Sequence, residues 1–387
     1  MKPQKIPDDI AKSLGMDTSK PDDAPKDVKK PNALKGPLKP PIIDALKFVK
    51  PLQSKRGEIF NTHVWINHGW LCSHHTAFTM GVEIDANLST CPHYASLSEA
   101  INSYTDTLTL TQLNDTQLSV NTGQMQAIVP CHPSHFIDVP TPDENIAVID
   151  DRIKDVFKEC VKAVDEKHPR PELQGLLLQS QTCIGTDGKI YIEGWHGIDL
   201  PPNLVIPKKF AMIVMRTRKP LTGFGFSDKS VTFWFDDGSF IRTARFQVTF
   251  PVSNHLFDWV SETVQTPDKL IAGVKSVSQF NSEGFVHFKE NGIVSHPQEE
   301  SVTRFKIPHL SEGAGFDGFL IAKCEKFAEV FSIKPGNLPV IFFASSTFRA
   351  IIAGLKTEKT KVHNSALTEE QKKQNGEYYN PDDEIPF

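Results

Sequence analysis

The chain has 387 residues, 39% of them hydrophobic, and a formal net charge of −5. That is enough apolar material for two or three domains with their own cores, and the acidic sum excludes a protein coated in positive charge while leaving room for a basic lining inside an acidic exterior. No apolar run reaches the length of a membrane span and no charged-then-apolar leader opens the chain, so no membrane partner and no export are expected.

Residues 1–40 mix lysine, aspartate and proline with almost no large apolar groups, the composition of a disordered arm. From Ile42, apolar Ile43, Leu46, Val49 and Leu52 recur at helical spacing. Strand patterns follow at 61–66, 70–73 and 77–84, with Asn67-His68-Gly69 as a turn. A short helix is predicted over 97–104, then strands at 107–113 and 117–120. The pattern then repeats. A helix over 150–166 buries Ile153, Val156, Phe157, Cys160 and Val164 and carries Lys154, Lys158 and Lys162 as a stripe beside that face.

Beyond it, Leu173-Gln-Gly-Leu-Leu-Leu-Gln and Gly185-Thr-Asp-Gly-Lys-Ile-Tyr-Ile read as strand, tight turn at Thr186-Asp187-Gly188, and strand, and Pro207 fits the first turn of a helix over 208–217. Strands at 223–226, 230–235 and 240–246 follow, the last two joined by Asp236-Asp237-Gly238-Ser239. In the third stretch a helix is predicted over 256–264, strands at 273–277 and 284–288 with a turn at Glu290-Asn291-Gly292, a helix over 317–331, and strands at 340–343 and 348–355. The element order therefore occurs three times, in units of ordinary domain size. After Lys356 the chain turns polar and reads as a disordered tail ending Asp382-Asp383-Glu384-Ile385-Pro386-Phe387.

Five stretches carry a resemblance: Leu173–Leu178, Gly185-Thr-Asp-Gly, Val205-Ile-Pro-Lys-Lys, Phe250-Pro251, and Arg349-Ala-Ile-Ile-Ala-Gly-Leu-Lys356. In order and spacing they resemble the bacterial-type DNA polymerase sliding clamps, the β subunits, in a divergent and viral form. The resemblance implies an α+β chain of three tandem clamp domains, at 41–131, 132–252 and 253–356, flanked by an arm at 1–40 and a tail at 357–387. Two copies would close head to tail into a homodimer ring, helices lining the hole and antiparallel sheets outside. The implied function is that of a processivity factor in the cytoplasm, not an enzyme and without cofactor, whose partners are duplex DNA, DNA polymerase and a clamp loader.

On that resemblance the DNA-facing candidates are Lys47, Lys50, Lys55, Arg56, Lys154, Lys158, Lys162, Lys208, Lys209, Arg216, Arg218, Lys323 and Lys326. Contacts of this kind hold phosphates without reading sequence, which suits sliding. The peptide-docking groove would be lined by Leu173, Thr186, Gly188, Lys189, Tyr191, Ile351 and Ala353. Lys189-Ile190-Tyr191 stands where the family commonly has His-Arg-Leu, so the preferred peptide differs. The tip Asp382, Asp383, Glu384, Ile385, Pro386 and Phe387 is similar to that of bacterial single-stranded-DNA-binding proteins: an aromatic anchor beside acidic groups, suited to a basic-rimmed pocket on a partner or to this chain's own groove.

Two other readings compete. A single-stranded-DNA-binding protein would need a small barrel with aromatic platforms, for which Phe233, Trp234, Phe235 and Phe240 are the available residues. A zinc site is suggested by His63, His68, His74, His75, His93, His132 and His135 beside Cys72, Cys91 and Cys131, but their spacing matches no closed zinc module. The remaining cysteines, Cys160, Cys183 and Cys324, are scattered, and no CxxC occurs, which suits free thiols in a reducing compartment. Gly223-Phe224-Gly225 is a fragment of a phosphate-loop pattern inside a strand and points to packing.

Overall fold

A computed structural model describes residues 41–355 apart from 103–107, 124, 134–138, 252–253, 296–302, 311–312 and 337. The arm at 1–40 and the tail, with its Asp382–Phe387 tip, lie outside the described residues.

Helices pack two by two. Helix α1 (Ile42–Val49) lies against α2 (Tyr94–Asn102), where Tyr94 Oη donates to the carbonyl of Leu46 at 3.3 Å. Helix α3 (Arg152–Cys160) packs on α4 (Lys208–Arg216), and α5 (Leu270–Ser278) on α6 (Gly318–Lys323). Each is amphipathic: α3 buries Ile153, Val156, Phe157 and Cys160, and α4 buries Phe210, Ala211, Ile213 and Val214.

Behind the helices run antiparallel sheets, and two of them join distant parts of the chain. One sheet has eleven strands, from Thr109–Asn114 at one edge to Ala147–Val148 at the other. At its middle Phe78–Glu83 pairs with Phe240–Ala244, Phe240 opposite Gly81. The Phe240 ring occupies the space a Cβ on residue 81 would need, 2.3 Å away, so glycine is what lets the two halves meet there. A second sheet, of eight strands, runs from Leu204–Pro207 to Val264–Gln265, with Ile190–Trp195 paired to Phe348–Ala353 at its seam. Four strands make a third, in the order Arg304–Lys306, Gly292–Val294, Phe285–Lys289, Gly315–Asp317. The chain is thus a mixed α+β protein of antiparallel sheets and few helices. No described helix is long and apolar enough to cross a membrane.

The expected hairpins form. His68 and Gly69 take positive φ (45° and 83°) between paired strands, as does Gly188 (84°) after Thr186. Asp187 Oδ1 accepts from Lys189 N and Ile190 N, both at 2.9 Å, so the turn is held by its own aspartate.

Several expectations fail, mostly in the third stretch. The helix predicted at 256–264 is a single 3-10 turn, Asn254–Phe257, followed by the short strand Val264–Gln265. The true helix is α5, where a strand was expected at 273–277; its Leu270, Ile271, Val274 and Val277 share one buried face, and Gly273 admits the Phe305 ring, 2.6 Å from where a Cβ would sit. The long helix at 317–331 is only α6, capped by Asp317 Oδ1 accepting from Phe319 N at 2.8 Å, and Phe331 belongs to the strand Val330–Lys334. Residues Ile59–Thr62 form a helical turn instead of starting a strand. Pro207 ends the strand Leu204–Pro207 and stands at the N-cap of α4, one position before the first turn. Phe233, Phe235 and Phe240 are core residues, exposed by no more than 2%, so the platform that single-strand binding requires is not on offer.

Candidate nucleic-acid interface and docking surface

Helices α1 and α4 flank a groove of about 980 Å³. Its floor is apolar, Phe48, Pro51, Met212 and Ile213, and its rim carries Lys47, Lys209, Arg216, Arg218 and Lys219 against two acids, Asp44 and Glu166. Asp44 is occupied by Lys47 at 3.0 Å. Lys209, Arg216 and Arg218 are exposed, and none has a carboxylate partner among the described residues; Lys209 Nζ stands 5.6 Å above the Phe78 ring. Lys47 also borders a second groove of about 710 Å³ between α1 and α2, with Lys50 and Lys55, while Arg56 is exposed just beyond.

Lys219, which the sequence did not single out, is part of this rim. Its Nζ lies 4.1 Å above the Phe48 ring and pairs with Asp237, which also accepts from Ser239. Burial pushes the Asp237 carboxyl up, but those hydrogen bonds and the nearby cation more than offset it and leave it below its ordinary range.

The α3 stripe breaks up. Lys154 is corrected outright: it is 9% exposed, and its Nζ donates to the carbonyls of Thr217 at 3.0 Å and Lys219 at 2.5 Å and pairs with Asp151 at 2.8 Å. Its amine is spent on the segment that follows α4 and is not presented to solvent. Lys158 is exposed with no carboxylate partner among the described residues. Lys162 pairs with the buried Glu159, which also holds Lys326 at 3.6 Å. Lys323 lies 3.9 Å from Asp187. Lys208 is half-buried and donates to the carbonyl of Val164. Among the candidate residues, the cations without a carboxylate partner lie on or near α1, α3 and α4, while those near α6 meet acids. Lys275 on α5, also absent from the candidates, pairs with Glu325 at 2.6 Å, and its hydrogen bond lowers that carboxyl.

All the docking candidates but Leu173, which is buried in the turn Pro171–Leu173, lie on or beside the seam of the eight-stranded sheet. Tyr191 faces Ile351 in register, Thr186 faces Tyr191, and Ala353 N donates to the carbonyl of Lys189 at 2.9 Å. Gly188 N donates to Thr186 Oγ1 at 3.1 Å. Lys189 is exposed, but Leu173, Thr186, Gly188, Tyr191 and Ile351 are buried. Tyr191 forms an apolar cluster with Leu177, Ile184, Val205 and Phe250, covered by Phe246, Val248, Leu256 and Phe257. That cover is a feature the sequence reading missed. The Phe257 ring is 5.5 Å from Tyr191 and 6.0 Å from Phe342, and the Arg349 guanidinium lies 3.8 Å above it. Arg349 is fixed by Glu193 at 2.6 and 2.7 Å.

The histidine-rich stretch does converge in part: the His63 ring lies 5.3 Å from His93 and 6.2 Å from His132. Among the described residues no three His, Cys, Asp or Glu side chains are placed to hold a metal ion; His135 lies outside them. Burial pushes the Cys72 and Cys91 thiols up to about 12, the direction expected of free thiols in apolar surroundings.

No protein-family profile and no curated protein matches the chain. Solved structures do. The DNA polymerase sliding clamp of Bacillus subtilis superposes with a TM-score of 0.68 at 14% identity, over 82% of this chain and 97% of that one. Caulobacter crescentus pol III beta gives 0.68 at 15% identity, over 82% and 98%. The Helicobacter pylori beta clamp bound to a DNA ligase peptide gives 0.64 at 13% identity, again over 82% and 98%. The chain therefore has the fold of the bacterial DNA polymerase sliding clamps.

Proposed function

We propose that this protein is a DNA polymerase processivity factor, a viral sliding clamp that two copies close around duplex DNA in the cytoplasm. The observation that carries the reading is the cluster of unpaired cations on paired helices: Lys209, Arg216 and Arg218 on or just after α4, Lys158 on α3, and Lys50, Lys55 and Arg56 after α1. On a clamp fold, helices of this charge suit a hole that holds phosphates without reading bases. The three tandem domains would be 41–131, 132–252 and 253–356, with the two longer sheets each spanning a domain junction.

Peptides of polymerase, clamp loader and other replication proteins would dock at the Tyr191–Ile351 seam; the Helicobacter clamp above is bound to a DNA ligase peptide at 13% identity to this chain. The acidic tip Asp382–Phe387 would recruit a further partner.

The test is topological. Protein loaded on nicked circular DNA should stay through gel filtration and be lost once the circle is cut by a restriction enzyme. Equal loss from both forms refutes the ring. Tyr191→Ala should keep this retention and lose stimulation of the cognate polymerase.

A further inference from the structure

We propose that Glu159 is an internal counter-ion that limits how hard this protein grips DNA, by competing with phosphate for Lys162 and Lys326 where α3 meets the segment after α6. The inference rests on the DNA-lining reading and adds to it the residue that sets the strength of the grip.

Glu159 lies on α3 beside the face formed by Ile153, Val156, Phe157 and Cys160, and it is 4% exposed. Taking a carboxylate out of water there is costly, and a well-packed apolar group of similar volume is often at least as stable. Bulk therefore does not account for a glutamate at this place; its charge acts on its neighbours. Two ammonium groups answer it. Lys162, on the 3-10 turn Val161–Ala163 that continues α3, pairs with Oε2, and its Nζ also lies 3.5 Å from the carbonyl of Lys323 at the end of α6. Lys326 Nζ stands 3.6 Å from Oε1.

One carboxylate thus collects a cation from each side of the junction, and the pair of lysines presents one net positive charge where the sequence offers two. Neither lysine is sealed off. Their side chains are 32% and 55% exposed, so a phosphate reaches both once Glu159 lets go, whereas Lys154 is closed away beneath α4. The third lysine of the junction, Lys323, has its own acid in Asp187. Lys209, Arg216 and Arg218, by contrast, are exposed with no carboxylate partner among the described residues. The charge of the lining is therefore graded: full around α4 and discounted where α3 meets α6. Phosphate contacts set the affinity without reading sequence, so removing one cation from the count loosens the hold at every position along the duplex alike.

The experiment reads the slope of log affinity against log salt for a fluorescein-labelled duplex, by anisotropy with full-length protein, across roughly 50 to 200 mM salt. Each cation released to phosphate steepens that slope by about 0.9. Glu159→Gln, which keeps the shape and removes the charge, should steepen it by about that amount. Lys162→Met, which keeps the apolar stem, leaves the carboxylate to Lys326 and should flatten the slope by as much. The double variant Glu159→Gln/Lys162→Met should return to the wild-type slope. A packing role for Glu159 moves thermal unfolding and none of these slopes, because it does not change the number of phosphates neutralised.

A Glu159→Gln protein whose thermal unfolding matches wild type and whose slope is unchanged or flatter overturns the inference. If that variant does not fold, Lys162→Met decides alone, and an unchanged slope overturns it. The assay needs no closed ring. Loss of retention on nicked circles with the slopes as predicted would sink the clamp reading and leave this inference standing; retention with unmoved slopes would sink the inference alone.

Discussion

The three lysines of α3 make a sharp test, because the sequence presents Lys154, Lys158 and Lys162 as equivalents and the structure gives them three different jobs. Lys154→Ala removes a buried donor from the carbonyls of Thr217 and Lys219 and from Asp151. Hydrogen bonds to a charged group are worth about 1.5–3 kcal/mol each, while the Asp151 side is 53% exposed and adds only about 0.5 kcal/mol once solvent screening is counted. Water entering beside the freed carbonyls recovers part of this, leaving a loss of about 3 kcal/mol. Lys158→Ala, on the exposed face, should stay within about 0.5 kcal/mol. Urea midpoints of the two variants, each with Lys154→Met as the control that keeps the apolar stem, measure the difference. DNA retention should show the reverse order, weakened for Lys158→Ala and unchanged at matched stability for Lys154→Ala. Equal midpoint shifts for the two alanine variants would refute the placement of Lys154.

Three further outcomes are expected. Arg216→Ala and Arg218→Ala should each flatten the dependence of log affinity on log salt by about 0.9, measured on duplex DNA between 50 and 200 mM salt, roughly the range over which phosphate contacts dominate; an unchanged slope removes them from the DNA face. Burial, then the neighbouring His93 and His132, lowers His63 to about 4 from 6.5, so the unfolded chain binds the extra proton and this contribution to stability is complete above about pH 6.5 and lost as pH falls toward 4. His63→Gln should flatten urea midpoint against pH across that window, and an unaltered profile counts against the cluster. Gly185→Ala should cost about 3 kcal/mol, because its Cβ would lie 2.2 Å from the backbone oxygen of Cys160, which cannot swing aside; a variant as stable as wild type would contradict that helix–strand contact.

Much of the first two stretches was legible before any coordinates. Ile153, Val156, Phe157 and Cys160 recur at helical spacing and are the buried face of α3, and the Asp187-Gly188 turn lies between the strands it was expected to join. These elements are local: their period or turn chemistry is sufficient to specify them. The third stretch failed for the converse reason. Gly273–Val277 reads as a strand, yet it lies inside the helix Leu270–Ser278, where Gly273 lets the helix close on Phe305. That preference is set across the fold and outweighs local propensity.

The candidate surfaces divide along the same line. Charge type and order along the chain are properties of the sequence, and together with the resemblance to the clamps they nominate Lys209, Arg216 and Arg218; the Thr186–Tyr191 turn is nominated by the resemblance alone. Which charges remain available is decided by neighbours from elsewhere in the chain: Thr217 for Lys154, Glu159 for Lys326, Asp187 for Lys323, Asp237 for Lys219. The cover over Tyr191 is of this kind too, since Leu256 and Phe257 read as the start of a helix over 256–264 until the sheet seam beneath them exists to receive them. The sequence by itself determined the helical and strand periods, the turns and the supply of cations, because each depends on residues a few positions apart. Only the tertiary structure decided which cations meet an acid and what lies over Tyr191, because burial and ion pairing depend on distance in space.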